Sequence, residues 1–173
     1  KQTNKQKLEN MNELILSKLD VGELNGVKFN PNVKILAAGA GQLLSASDAG
    51  KTIVFGAAAA TLITLPEPEL GMVFNFVSAI TATGDHEIQA LTNAEGFVGG
   101  ISIHSTTAGN SDLFSANAAG TDDFITMNAT TTGGKAGSVL RIVAILDASA
   151  AKCWVVSGNL LGSGTLATPF AAN

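Results

Sequence analysis

The amino-acid sequence predicts an all-β protein, an antiparallel β-sandwich or a jelly-roll-like barrel, with an N-terminal α-helical arm. From residue 42 onward, about eight short runs rich in Val, Ile, Phe and Thr follow one another closely. Turns that contain Gly, Pro, Asn or Asp separate these runs. The segments between the runs lack the apolar repeat of a helix. Successive strands without intervening helices are typical of sandwiches and barrels.

Two of the candidate strands supply most of the predicted core. Strict alternation in residues 72–80 places its phenylalanines on one face, whereas residues 138–147 are apolar on both faces. A strand with two apolar faces suits a sandwich interior or a subunit interface. The core residues predicted from these strands and from the last strand are Phe74, Phe76, Leu140, Ile142 and Trp154. The other candidate strands are residues 51–55, 61–65, 86–91, 101–104, 122–127 and 152–157.

The distribution of charge divides the chain into an arm and a body. Residues 1–36 carry six Lys against four acidic residues, whereas the rest carries four basic residues against ten acidic ones. Such asymmetry is typical of an arm attached to a folded body. We predict an arm over residues 1–36, a β body over residues 37–158 and an uncharged Gly- and Ala-containing tail over residues 159–173.

Within the arm, the spacing of apolar residues predicts a helix over residues 4–19, followed by an extended strap. Thr3 and Gln6 fit a capping box, and Gly22 is placed to end the helix. An isolated helix of this length is marginal in water, so it should dock on a neighbouring protein, on sister chains or on its own body. One helical stripe contains Leu8, Met11, Ile15 and Leu19.

The composition restricts the classes of partner. Charged residues make up 14% of the chain, against about 25% in average soluble domains, and 26 of its residues are Ala. The net charge of −4 argues against sequence-independent binding of nucleic acid. So little surface charge indicates that other subunits cover much of the surface, and a weakly charged monomer is the alternative. One Cys excludes a disulfide within the chain.

The sequence shows no segment typical of a membrane span and no signal peptide. The longest stretch without charged residues, 153–173, is interrupted by several Gly and a Pro. The N-terminal residues are polar and rich in Lys, with no apolar region after them. We therefore expect synthesis in the cytoplasm and no membrane partner.

Two glycine-containing motifs invite a nucleotide-binding interpretation. Gly50-Lys51-Thr52 matches the end of a phosphate-binding P-loop, but Ser45 occupies the position of its first glycine, and the following residues are strand-like. Residues 39–41 lack the third glycine of a dinucleotide-binding loop. We predict no nucleotide cofactor.

The candidate catalytic and metal-binding groups do not converge. Cys153 fits a small buried residue in a strand. In the run 85–87, His86 should point away from its two acidic neighbours, so we interpret this run as a solvated strand edge. The carboxylate pairs at 67/69 and 122/123 are interpreted as solubilising turn residues. The sequence predicts no catalytic, cofactor-binding or metal-binding residues.

Residues 42–158 carry a layout of short motifs that resembles a pattern common in tailed-phage virion proteins. The layout is similar to that of small head-decoration (capsid cement) proteins and of related virion fibre modules, and it does not cover the arm. The motifs are LLSASD (43–48), GKTI (50–53), ITLP (63–66), Gly71, Phe74 and Phe76, then DFI (123–125), GSV (137–139) and WVV (154–156).

The resemblance implies a non-enzymatic structural protein of the virion. Decoration proteins are usually trimeric, sit on the outer capsid surface and clamp neighbouring major capsid proteins against the pressure of the packaged DNA. It therefore implies a homotrimer that binds a major capsid protein and no cofactor. The arm residues Leu8, Met11, Ile15 and Leu19 would contact the capsid or a sister subunit, and the predicted core residues would also form trimer contacts.

Two other classes of protein make different predictions. A receptor-binding or fibre module would present exposed aromatic residues at a trimer tip, and binding to host cells would identify it. A carbohydrate-active enzyme would bring two carboxylates together, and hydrolysis of a glycan would identify it.

Overall fold

The computed structural model describes residues 23–24, 27–28, 32–117, 121–146 and 151–172. The chain divides into two compact units, Lys1–Pro31 and Asn32–Asn173. In the first unit, β1 (Glu23–Leu24) pairs antiparallel with β2 (Val27–Lys28). The helix predicted over residues 4–19, and with it Leu8, Met11, Ile15 and Leu19, lies outside the described residues.

The second unit contains two β-sheets, of which the larger has seven strands. Its strands are β3 (Val33–Leu36), β5 (Thr52–Phe55), β7 (Val73–Ser78), β9 (Phe97–Ser105), β10 (Ser111–Ser115), β12 (Val139–Leu146) and β13 (Lys152–Gly162). They lie in the order β10-β9-β13-β12-β7-β5-β3.

The smaller sheet has five strands in the order β14-β11-β8-β6-β4. The strands are β4 (Gly39–Leu43), β6 (Thr61–Thr64), β8 (His86–Gln89), β11 (Phe124–Met127) and β14 (Phe170–Ala171). Two short 3₁₀ helices, Ala46–Asp48 and Asn93–Glu95, lie in the connections. The all-β prediction is thereby confirmed.

The prediction of an antiparallel fold is wrong, because both sheets are mixed. From β3 to β8 the chain alternates between the two sheets. The strands β3, β5 and β7 therefore become parallel neighbours in one sheet, and β4, β6 and β8 become parallel neighbours in the other. Parallel neighbours need a crossover connection, and here a strand of the opposite sheet provides it. Short strands separated by turns look the same in sequence whether they form hairpins or cross between sheets.

The core lies between the two sheets and contains residues of both. Alternating burial accounts for this core, since every second residue of β5 and β7, and of β12 up to Ala144, is buried. The rings of Phe74 and Trp154 are 5.8 Å apart, in a tilted arrangement that favours aromatic packing. The structure places all five predicted core residues in this interior: Phe74, Phe76, Leu140, Ile142 and Trp154.

The ends of the β body differ from the boundaries expected from charge. β3 begins before residue 37 and belongs to the larger sheet. β13 continues to Gly162, and β14 pairs with β11, so much of the segment 159–173 belongs to the sheets. Two of its apolar side chains, Leu160 and Phe170, lie in the core.

Candidate docking surface

A continuous apolar row crosses the outer face of the larger sheet, the face that points away from the core. Paired residues on neighbouring strands point to the same side of a sheet. Val139 pairs with Val77, Val77 with Val54, and Val54 with Ile35, so these four residues form the first apolar row. Ile35 is 72% exposed and Val139 41% exposed. The row therefore presents large apolar side chains to solvent at the β3 edge of the sheet.

A second apolar row crosses the same face four residues further along β12. Val143 pairs with Val73 on β7 and with Val155 on β13, and Val155 pairs with Val98 on β9. All four side chains are half-buried. The outer face therefore has two apolar rows on four strands each, an arrangement found where one protein surface covers another.

A polar row that contains one cation separates the two apolar rows. Arg141 pairs with Asn75 on β7 and with Ser157 on β13, and Asn75 pairs with Thr52 on β5. Together with Val77, Val139 and Gly158, these residues line a groove of about 250 Å³ that is open to solvent. We call it the Arg141 groove.

Arg141 is exposed and, among the described residues, has no hydrogen-bond or ion-pair partner. The four described lysine ammonium groups each have an acceptor within the chain. Their acceptors are Asp48 for Lys34 and Lys51, Thr106 for Lys135, and Glu67 for Lys152. A guanidinium between two apolar rows is suited to bind a carboxylate of a docked protein. The outer face thus combines apolar contact area with one position that selects for negative charge.

The predicted core residues lie on the opposite side of the strands that form this face. Phe74, Phe76, Leu140 and Ile142 alternate with the outer residues of β7 and β12, and Trp154 does so on β13. Because they are at most 3% exposed, contacts between subunits would have to involve other residues of these strands. In the sequence, Arg141 is the one charged residue of an otherwise apolar strand, and this contrast is the signal that could have pointed to the outer face.

The Gly50-Lys51-Thr52 motif has a structural role in a turn. The Asp48 carboxylate accepts hydrogen bonds from Lys34 at 2.7 Å and from Lys51 at 3.0 Å, and it also accepts one from the Ser45 backbone N–H. Burial alone would raise the pKa of Asp48, but these hydrogen bonds outweigh it and hold the pKa well below its usual range. Lys51 therefore neutralises a buried carboxylate that joins β3 to the turn before β5.

The paired carboxylates do not form one site. Glu67 is exposed and accepts a hydrogen bond from Lys152 at 2.6 Å, which lowers the pKa of Glu67. Asp122 accepts a hydrogen bond from the Asn117 backbone N–H. Asp123 is 2% exposed, so its interpretation as a solubilising residue is wrong: the start of β11 lies between β8 and β14 and is covered there. Within the described ranges, no group of three or more His, Cys, Asp or Glu side chains could hold a metal ion.

His86 is buried, so the interpretation of residues 85–87 as a solvated edge is wrong. β8 is an interior strand of the smaller sheet and turns this side chain into the core. The Nε2 atom lies 2.9 Å from the Ala57 carbonyl oxygen, and the ring stacks on Phe55 with a centroid distance of 4.5 Å. The buried Nδ1 atom has no partner among the described residues. Cys153 is buried, as predicted.

We expect acid to destabilise the protein through His86. Burial lowers the pKa of His86, and hydrogen bonds to backbone carbonyls only partly offset this effect. The unfolded chain therefore takes up the proton first, near pH 6.5, and stability is lost as the pH falls further, by at most about 1.4 kcal/mol per pH unit. Urea unfolding between pH 7.5 and 5.0 should show this loss in the wild type and not in His86→Phe. His104→Gln is the control, and an equal loss in His86→Phe would contradict the assignment.

No protein-family model, curated protein or solved structure matches this chain. In the part of the chain that the structure describes, no helix is long and apolar enough to cross a membrane. We therefore interpret the outer face of the larger sheet from the side chains that it presents.

Proposed function

We propose that this chain is a non-enzymatic structural protein of a tailed-phage virion, a decoration or cement protein. It binds the outside of the capsid and clamps neighbouring major capsid proteins. The β body assembles as a homotrimer, and the arm contacts the capsid through Leu8, Met11, Ile15 and Leu19. The protein needs no cofactor for this role, and its place is the outer capsid surface.

The outer face of the larger sheet is the observation that carries the proposal. Its two apolar rows cross four strands each, and they are interrupted by one exposed cation. A monomer in water gains nothing from such a face, whereas an assembly buries it and gains about 25 cal/mol for each Å² of apolar area. The low charge of the whole chain and the virion-like motif layout support the same role.

Deletion of residues 1–31 is expected to weaken capsid binding and to leave the β body folded. This deletion retains β3, which belongs to the larger sheet. We expect at least a tenfold loss of affinity, or about 1.4 kcal/mol. The measurement is occupancy on phage heads that lack the protein, after adding back the full chain or the shortened chain. Circular dichroism of the shortened chain is the control for folding.

Two outcomes of this experiment would contradict the proposal at different levels. Equal occupancy of both chains would overturn the role of the arm. A full chain that does not bind the heads at any concentration would overturn the decoration function itself.

The fibre or receptor-binding module is the alternative function. It requires exposed aromatic rings, but the described Phe and Trp side chains are buried or half-buried. Binding of the full chain to host cells, without binding to heads, would favour this alternative.

A further inference from the structure

The connection between β6 and β7 forms an exposed acidic turn, residues 67–70, that we call the acidic tip. It carries Glu67, Glu69 and Leu70, and Leu70 is 71% exposed. Glu67 is neutralised by Lys152, whereas the backbone carbonyl of Glu69 accepts a hydrogen bond from Met72 and its side chain is exposed. The tip thus presents a carboxylate directly beside a large apolar side chain.

The electrostatics around the tip are negative. The ammonium group of Lys152 donates a hydrogen bond to Glu67, and this bond, aided by the negative charges of Glu67, Glu69 and Glu95, raises the pKa of Lys152. Burial raises the pKa of Glu95, and the negative charge of Glu67 adds to that effect. One ammonium group therefore does not neutralise the tip, which leaves Glu69 able to pair with a cation.

The acidic tip is complementary to the Arg141 groove. The groove offers a guanidinium that has no partner in the described part of the chain and is flanked by Val77 and Val139, and the tip offers a carboxylate next to Leu70 in sequence. Within one chain the two do not meet. The Gly71 N–H donates to the Ala144 carbonyl oxygen at 3.4 Å, which holds the tip near a part of β12 three residues, or roughly 10 Å, from Arg141.

We propose that the Arg141 groove binds the acidic tip of a second copy of this chain, with Glu69 paired to Arg141 and Leu70 packed on Val77 and Val139. This inference rests on the proposed homotrimer and specifies its interface. A two-fold contact centred on the Arg141 groove would bring two Arg141 side chains together, and like charges oppose that packing. Tip-to-groove contact joins two different patches, and repeated contacts of this kind form a ring, such as a trimer, when the rotation between neighbouring copies closes.

A charge exchange tests the interface. The mass of the full chain is measured by light scattering after size exclusion, at one protein concentration, for the wild type, Glu69→Lys, Arg141→Glu and the double variant. We expect about three times 17.5 kDa for the wild type and for the double variant. Each single variant should shift to lower mass, with at least tenfold weaker assembly. Asp85→Lys, the same charge change in another exposed turn, is the matched control and should keep the wild-type mass.

The outcomes separate this inference from the proposed function. Single variants that keep the wild-type mass would overturn the tip-to-groove interface and leave the capsid-binding role standing. A double variant that stays dissociated, although circular dichroism shows it folded, would overturn the pairing of Glu69 with Arg141. A monomeric wild type would overturn the inference, whereas occupancy on phage heads tests the decoration function independently. Leu70→Ser, which leaves every charge in place, should also dissociate the assembly.

Discussion

Replacing Gly99 by alanine should destabilise the β body by about 3 kcal/mol or more, which lowers the melting temperature by roughly 6–12 °C for a chain of this size. Gly99 lies in β9 with a φ of +108°, a backbone conformation that residues with a side chain rarely adopt. A Cβ atom there would collide with the Val156 carbonyl oxygen on β13. That oxygen is a backbone atom, so relief requires displacing β13 from β9 in the middle of the larger sheet.

Gly50→Ala is the matched control for this substitution. Gly50 also has a positive φ, +82°, but a Cβ atom there meets open space. Gly50→Ala should lower the free energy of unfolding by about 1 kcal/mol, because it introduces backbone strain but no collision. Urea unfolding of both variants at the same protein concentration gives the comparison, because assembly adds to the apparent stability. If both substitutions lowered the free energy of unfolding equally, the larger sheet would have adjusted to the Cβ atom at position 99, and the prediction would be wrong.

Replacing Asp48 by asparagine should lower the free energy of unfolding at pH 7 by about 2–3 kcal/mol. The carboxylate is 8% exposed and receives both Lys34 and Lys51, which are about one-third exposed. An amide cannot neutralise two ammonium groups, and its single oxygen can replace only one of the two carboxylate oxygens that accept from Lys34 and Lys51. Partial exposure of the lysines limits the loss, because water compensates part of each broken pair.

The effect of Asp48 should depend on pH with a definite sign. Its pKa is lowered in the folded chain, so its stabilising contribution is complete above the unfolded value of about 3.9 and is lost as the pH falls below it. The difference between wild type and Asp48→Asn should therefore shrink in acid. Glu67→Gln breaks an exposed ion pair and should change stability little at any pH. If the loss of stability in Asp48→Asn did not change with pH, the substitution would have removed packing contacts and not a charge interaction.

Both predictions concern residues that stabilise the β body and that do not belong to the outer face. Gly99 permits the close approach of β9 and β13, and Asp48 connects β3 to the turn before β5. Neither residue contributes a side chain to the Arg141 groove. Variants of the docking surface should therefore change assembly without a large change in the stability of the β body.

The sequence alone predicts the fold class and the inner face of the main strands, because both depend on local patterns. Turn residues end each strand, and alternation places Phe74 and Phe76 on one side of β7 whatever its neighbours are. The same local logic predicts the arm helix, which lies outside the described residues. Alternation also shows that residues 138–147 have two apolar faces, although it does not say what covers the second face.

The tertiary structure decided the properties that depend on which strands become neighbours. Turn chemistry does not tell a hairpin from a crossing between sheets, so the mixed pairing could not be read from the strand pattern. The burial of His86 and Asp123 follows from neighbouring strands in the smaller sheet. Arg141 becomes a candidate contact only because the residues paired with it, Asn75 and Ser157, bring no acid within its reach. Whether a charge is neutralised is determined by residues distant in sequence, and folding alone brings those residues together.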